Sequence, residues 1–158
     1  MKLYHIVACT KNGVIGKNGR LPWHFREDLK HFKSLTLGST VMMGWKTFEG
    51  IGKSLPGREN FVLSRNKTRD VQGVRFFHSL ADALRHVTTE KVFIIGGADI
   101  FRQTMDLIDG IYMTQIEGTY EGDAYYPVIP NYFEEKLRQP SKEEPKLEFI
   151  FYENVKKK

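Results

Sequence analysis

Residues 3–9 form an almost unbroken apolar run, and nothing else in the chain restricts its fold as much. Such a run has no wet side, so it reads as a strand covered on both faces, the position of a central strand in a parallel sheet. Shorter apolar runs at 40–43, 60–63 and 92–95, with a further short strand expected at 74–78, alternate with helical patterns. Ser79 opens one of these helices with a capping sequence, and Leu80, Ala83, Leu84 and Val87 share one of its faces. Another follows Gly96-Gly97, with Phe101, Met105 and Ile108 facing inward until Asp109-Gly110 stops it. The last third changes character: 111–117 alternates, and 133–138 and 147–154 read as an antiparallel hairpin. Two connections look irregular, the glycine-bearing 10–20 and the polar 118–126. The expected fold is α/β, a single domain over 1–158, with a mostly parallel central sheet, an antiparallel C-terminal hairpin and helices on both faces.

Cys9 is the only cysteine, which removes internal disulfides and multi-cysteine zinc sites, and no metal is expected. Three of the charges behind the net +5 are the terminal Lys156-Lys157-Lys158, and the others are interspersed with acids. A solvated surface and small polyanionic ligands fit that pattern better than a nucleic-acid partner. No apolar run approaches a membrane span and no secretory core opens the chain, so a soluble cytoplasmic monomer without a membrane partner is expected. Gly52-Lys53-Ser54 has the form of a P-loop ending, but Thr47 stands where that motif needs glycine.

One carboxylate is out of place. Residues 21–35 read as a loop feeding a helix, and at about 100° per residue Asp28 lies among Phe25, Leu29, Phe32 and Leu35. Arg26, Glu27, Lys30, His31, Lys33 and Ser34 all plot outside that apolar arc, so only Asp28 breaks the segregation. Glu27 suits the helix dipole. A carboxylate directed inward is costly unless a partner meets it, and the helix alone leaves open whether an internal Arg or Ser or a bound ligand is that partner.

Three strand ends carry groups compatible with phosphate: Gly44 with Lys46 and Thr47, Ser64 with Arg65, and Gly96 with Gly97. Glycine lets a pyrophosphate approach the backbone, and Arg65 can make bidentate contacts. Together they suit a dinucleotide carrying an extra phosphate, although the full G-x-G-x-x-G fingerprint is absent. In sheets of this class ligands sit beyond the carboxyl ends of the strands.

The chain resembles dihydrofolate reductase of the bacterial, chromosomally encoded type from end to end. The resemblance is carried by Ile6-Val7-Ala8 with Gly13-Val14-Ile15-Gly16, and by Leu21-Pro22-Trp23 with Asp28-Leu29 and Phe32. It continues in Met43-Gly44 with Thr47, Leu55-Pro56-Gly57-Arg58, Leu63-Ser64-Arg65, Ile95-Gly96-Gly97, Thr114 and Glu121-Gly122-Asp123. It implies reduction of 7,8-dihydrofolate to tetrahydrofolate by hydride from NADPH, serving one-carbon metabolism, with antifolate-like molecules as further ligands. Asp28 would accept hydrogen bonds from the pterin 2-amino group and N3, supported by Thr114 and a water that Trp23 helps to hold. Ile6, Val7, Leu29, Phe32, Ile51, Leu55 and Ile95 would line the pocket, and Arg58 would grip the glutamate tail. NADPH would lie against Ala8, Ile15, Gly16, Leu21, Gly44, Trp45, Lys46, Thr47, Leu63, Ser64, Arg65, Ile95, Gly96, Gly97, Ala98, Asp99, Ile100 and Phe101. The loop from Gly16 to Leu21 would close over the nicotinamide, braced by Gly122 and Asp123. Two positions depart from the family pattern: Trp45 replaces an arginine near the cofactor phosphates, and Asp99 a basic residue of some members. Recognition of the 2′-phosphate would then rest mainly on Arg65, Ser64 and Lys46. The rival readings are a reductase of the same fold acting on a pyrimidine intermediate of riboflavin synthesis, and a basic nucleotide- or nucleic-acid-binding module. Asp28 with Arg58 argues against the first, and aromatics at core positions against the second.

Overall fold

The computed structural model describes residues 1–17 and 24–157. Its strands are β1 (Lys2–Thr10), β2 (Val14–Gly16), β3 (Thr40–Gly44), β4 (Glu59–Leu63), β5 (Val74–Phe77), β6 (Lys91–Ile94), β7 (Gly110–Ile116), β8 (Ala124–Tyr125), β9 (Phe133–Pro140) and β10 (Leu147–Asn154). Its α-helices are α1 (Arg26–Thr36), α2 (Trp45–Ile51), α3 (Leu80–Arg85) and α4 (Ala98–Thr104). Eight strands form one sheet in the order β5-β4-β3-β6-β1-β7-β10-β9. The long apolar run is β1, centred between β6 and β7 and parallel to both. Only β10 runs the other way, antiparallel to β7 and β9.

Strand alternation divides the core in two. On β3, Met42 joins Ala83, Ile100, Phe101 and Met105 on the α3 and α4 face, whereas Val41 and Met43 join Phe32, Phe48 and Ile51 on the α1 and α2 face. Phe48, Phe61, Phe93 and Phe101 are each at most 2% exposed, and burying each ring stabilises the fold by about 1.5–3 kcal/mol. Ser79 caps α3, its Oγ accepting the Asp82 N–H at 3.1 Å.

A polar chain crosses the first core. His5, fully buried, lies 2.6 Å from the Tyr126 hydroxyl through Nδ1 and 2.7 Å from Thr104 Oγ1 through Nε2. Thr104 donates its hydroxyl proton to the Ile100 carbonyl at 2.6 Å, so it accepts from His5 Nε2–H, and Tyr126 donates to Nδ1. The imidazole is therefore neutral, and burial lowers its pKa to about 3.

The fold departs from the sequence pattern in a few places. The two irregular connections contain β2 and β8, which pair antiparallel. A Cβ at Gly122 would stand 2.3 Å from Val14 Cγ1, so the close approach of this ribbon depends on glycine there. Helix α3 ends at Arg85 and α4 at Thr104, earlier than periodicity implies, yet Val87, Met105 and Ile108 still pack into the core.

Candidate active site

The first turn of α1 holds Asp28 over β7. Thr114 of β7 is 3% exposed and pairs in register with Ala8 of β1 and Phe149 of β10. Burial raises the Asp28 pKa, and a hydrogen bond with the Thr114 side chain partly offsets that rise. This answers the first question left by the helix: among the described residues the carboxylate meets a hydroxyl and no cation. Glu27 behaves differently, pairing with Lys30 at 3.4 Å. His31 is not on a solvated face; its ring stacks on Phe149 at 4.0 Å and 24°, where burial lowers its pKa. It pins α1 beside the Asp28–Thr114 pair, a contact made by β10 that helical phase cannot reveal.

At the other end of α1, Thr36 is fully buried and Arg58 donates to its Oγ1 at 3.1 Å while lying 5.9 Å from the Phe32 ring centre. Arg58 Nε also donates to the Pro56 carbonyl at 2.9 Å. Asn60, which the sequence reading passed over, holds this turn: its Oδ1 accepts from the Leu55 N–H and its Nδ2 donates to the Leu55 and Arg58 carbonyls. Burial draws the Arg58 guanidinium below its ordinary pKa range, and no acid pairs with it among the described residues. Asp28 and Thr36 lie eight helical steps apart, a span of about 12 Å. One side of α1 thus offers an acceptor for a hydrogen-bond donor and, about 12 Å away, a cation for an anion.

Between them Phe32, Ile51, Leu55 and Ile95 pack together on this face, and Ile6 is 8% exposed. Two expected wall residues sit less simply. Leu29 is 63% exposed, on the open rim rather than inside the wall. Val7 packs into the core on the α3 and α4 face, so its side chain points away and backbone is what it can offer.

The second group of expected residues also converges. The Gly44 N–H donates to the Gly96 carbonyl at 2.9 Å, joining the ends of β3 and β6. The Gly96–Gly97 peptide is cis. A Cβ at either Gly96 or Gly97 would lie 3.6 Å from Thr47 Oγ1, and Gly96 has φ +124, a conformation that L side chains rarely adopt. Bare backbone at two adjoining strand ends beneath a hydroxyl is a cradle that a pyrophosphate fits and a side chain would fill. Ser64 and Arg65 follow β4, whose Leu63 pairs with Gly44. Lys46, in the first turn of α2, is exposed. Ala8 packs near Phe25 and Val14, and Ile15 and Leu63 border the other core. Ile100 and Phe101 of α4 are core residues, 6% and 2% exposed, and Ala98 begins that helix. Asp99 is paired with Arg102, which neutralises its charge. Leu21 and Trp23 lie outside the described residues, as does most of the loop expected to close. At its beginning the Asp123 N–H donates to the Gly16 carbonyl at 3.0 Å, and Lys17 pairs with Glu121 at 2.9 Å. Among the described residues no acid, histidine and cysteine cluster could hold a metal ion, and no helix is long and apolar enough to cross a membrane.

The chain as a whole is similar to known proteins. The family model for dihydrofolate reductase matches residues 2–156. A dihydrofolate reductase of Staphylococcus aureus (strain Mu50 / ATCC 700699) is 44% identical over 127 residues, 80% of this chain and 79% of the relative. Dihydrofolate reductase type 3 of Salmonella typhimurium is 43% identical over 123 residues, 77% and 76% of the two chains. A solved structure of the dihydrofolate reductase from Enterococcus faecalis, complexed with NADP(H) and RAB-propyl, is similar at a TM-score of 0.87 and 36% identity, covering 96% of this chain and 95% of that one.

Proposed function

The chain belongs to the dihydrofolate reductase family, and from that premise we propose a role for each group in its reduction of 7,8-dihydrofolate to 5,6,7,8-tetrahydrofolate with NADPH. The observation that carries the assignment is the buried Asp28 carboxylate, braced by Thr114 and meeting no cation among the described residues, at one end of a partly apolar helix face whose other end holds Arg58. Asp28 accepts hydrogen bonds from the pterin 2-amino group and N3. A buried carboxylate in that position orients the ring and favours protonation at N5, with a water as the immediate donor. Thr114 fixes the carboxylate, and Phe32, Ile6, Ile51, Leu55 and Ile95 keep the ring dry, with Leu29 at the rim. Arg58, partly desolvated and without an acidic partner among the described residues, takes the glutamate carboxylate about 12 Å away, within the reach of an extended folate.

When bound, NADPH supplies the hydride. Gly44, Thr47, Gly96 and Gly97 hold its pyrophosphate, and Ser64, Arg65 and Lys46 face its 2′-phosphate. Ala8, Ile15 and Gly16 border the nicotinamide, while Ala98, Asp99, Ile100 and Phe101 contribute through the backbone at the start of α4. Trp23 and Leu21 keep the roles that the resemblance gives them, holding a water near Asp28 and covering the nicotinamide. The enzyme proposed is a monomer formed by 1–158 and working in the cytoplasm. Antifolate-like molecules that present paired donors to Asp28 compete for the same cleft.

Steady-state absorbance with NADPH or NADH, with and without dihydrofolate, tests the reading. NADPH is consumed only when dihydrofolate is present and is preferred to NADH. Consumption of NADPH by a pyrimidine substrate in preference to dihydrofolate would refute the substrate assignment.

A further inference from the structure

The residues after β4 form a tight turn with two cations on it. The Lys67 N–H donates to Ser64 Oγ at 2.9 Å, and His78 Nδ1 lies 3.2 Å from the Ser64 carbonyl and 3.1 Å from that of Arg65. Both partners are acceptors, so His78 carries its proton on Nδ1 and ties the turn to the end of β5. The turn brings the Lys67 ammonium back to 5.6 Å from the centre of the Trp45 ring. That ring is held from below by Phe48 at 6.1 Å and Phe76 at 6.0 Å. Its indole N–H is buried without a hydrogen-bond partner among the described residues, so the face is what Trp45 presents. Neither Arg65 nor Lys67 makes an ion pair with any described residue. Two cations without an ion-pair partner among the described residues thus sit on one short turn, one of them held by cation–π attraction over Trp45.

We propose that Lys67, carried on the face of Trp45, acts with Arg65 to recognise the 2′-phosphate of NADPH and so determines cofactor specificity. The inference rests on the NADPH reading above and adds to it one residue, Lys67, which places a second cation beside Arg65 and over the Trp45 face. A phosphate monoester is nearly dianionic at neutral pH, so a cation on the same turn as Arg65 adds to what Arg65 and Lys46 supply, and Ser64, occupied by the Lys67 N–H, has only part of its hydrogen-bonding capacity left.

Equilibrium binding of NADP+ and NAD+, measured by calorimetry without turnover, tests it. Lys67 is exposed, so Lys67→Ala folds normally. That variant binds NADP+ about tenfold more weakly and NAD+ within about twofold of the unaltered protein. Lys67→Arg keeps the discrimination, and adding Trp45→Arg to Lys67→Ala restores it. Equal loss for both nucleotides, or no loss for NADP+, overturns the proposal. Equal affinity of the unaltered protein for NADP+ and NAD+ overturns the cofactor preference beneath it, and the proposal with it.

Discussion

Replacing Asp28 by asparagine separates the cost of the carboxylate to the fold from its benefit to the reaction. Asparagine has nearly the same shape and still accepts at one oxygen, but its other terminal atom donates, so it opposes one of the two donors of the pterin edge. One charge-assisted hydrogen bond is lost and the other loses its charge. At about 1.5–3 kcal/mol for each bond to a charged group, the loss is about 3–6 kcal/mol, or about 10²- to 10⁴-fold in the rate of reduction. Stability moves the other way. Burial raises the Asp28 pKa in the folded state, so ionisation weakens the fold: the native advantage is complete below the unfolded value of 3.8 and is lost as pH rises through the raised one. Removing the buried charge should therefore stabilise the neutral-pH protein by about 1–2 kcal/mol, a gain of a few degrees in Tm, and the gain should shrink as pH falls toward the ordinary aspartate range. Stopped-flow hydride transfer with parallel melts over pH checks both halves. A folded variant with turnover within about threefold of the parent would refute the catalytic assignment. A Tm gain that does not vary with pH would refute the burial argument.

Thr114→Val removes the hydroxyl that offsets burial, so the Asp28 pKa rises further; kcat/KM for dihydrofolate falls about tenfold, and the Asp28 inflection in its pH profile moves to higher pH. A profile displaced downward would contradict this. Glu27→Gln, one turn position away but paired with Lys30 instead, leaves turnover within about twofold, since exposed pairs contribute little. Loss comparable to that of Asp28→Asn would mean that the helix presents the other carboxylate. For His5 the folded pKa is depressed to about 3, so its contribution is complete above the ordinary value of 6.5 and is lost as pH falls from there. The unfolding free energy accordingly declines by up to about 1.4 kcal/mol per pH unit below that point, and the His5 ring resonances keep their neutral shifts to pH 5 by NMR. Titration of His5 near 6.5 would show that it is not enclosed.

Much of this architecture could be read in advance, for reasons that differ from residue to residue. Asp28 was visible because a helix converts sequence spacing into direction, and one polar group in an apolar arc contrasts with its neighbours. The same wheel put His31 in solvent, because it describes only the helix and not β10, whose Phe149 covers that ring. Val7, Ile100 and Phe101 show the complementary limit: motif position brings a residue to a ligand-bearing segment, but strand alternation and helix phase turn these side chains into the opposite core. β2 and β8 went unread because their pairing is set across the chain, and neither two nor three residues carry a period of their own. Lys67 gave no signal as one lysine among many; its significance comes from the turn that places it over Trp45.

The β2–β8 ribbon has a kinetic consequence. Lys17 and Glu121 are 104 residues apart, so joining them closes one of the longer loops in the molecule. Loop closure of that size is entropically unfavourable until the central sheet has already drawn the two ends together, which makes the ribbon a late event in folding. The converse holds in the native state. Few backbone hydrogen bonds hold it, among them Asp123 to Gly16 and Tyr126 to Gly13, and breaking them leaves the eight-stranded sheet intact. Opening the ribbon also withdraws Val14, fully buried against Ile116 and Leu147, and the Tyr126 hydroxyl from His5, so side-chain burial rather than backbone pairing sets how readily its amide protons exchange with solvent.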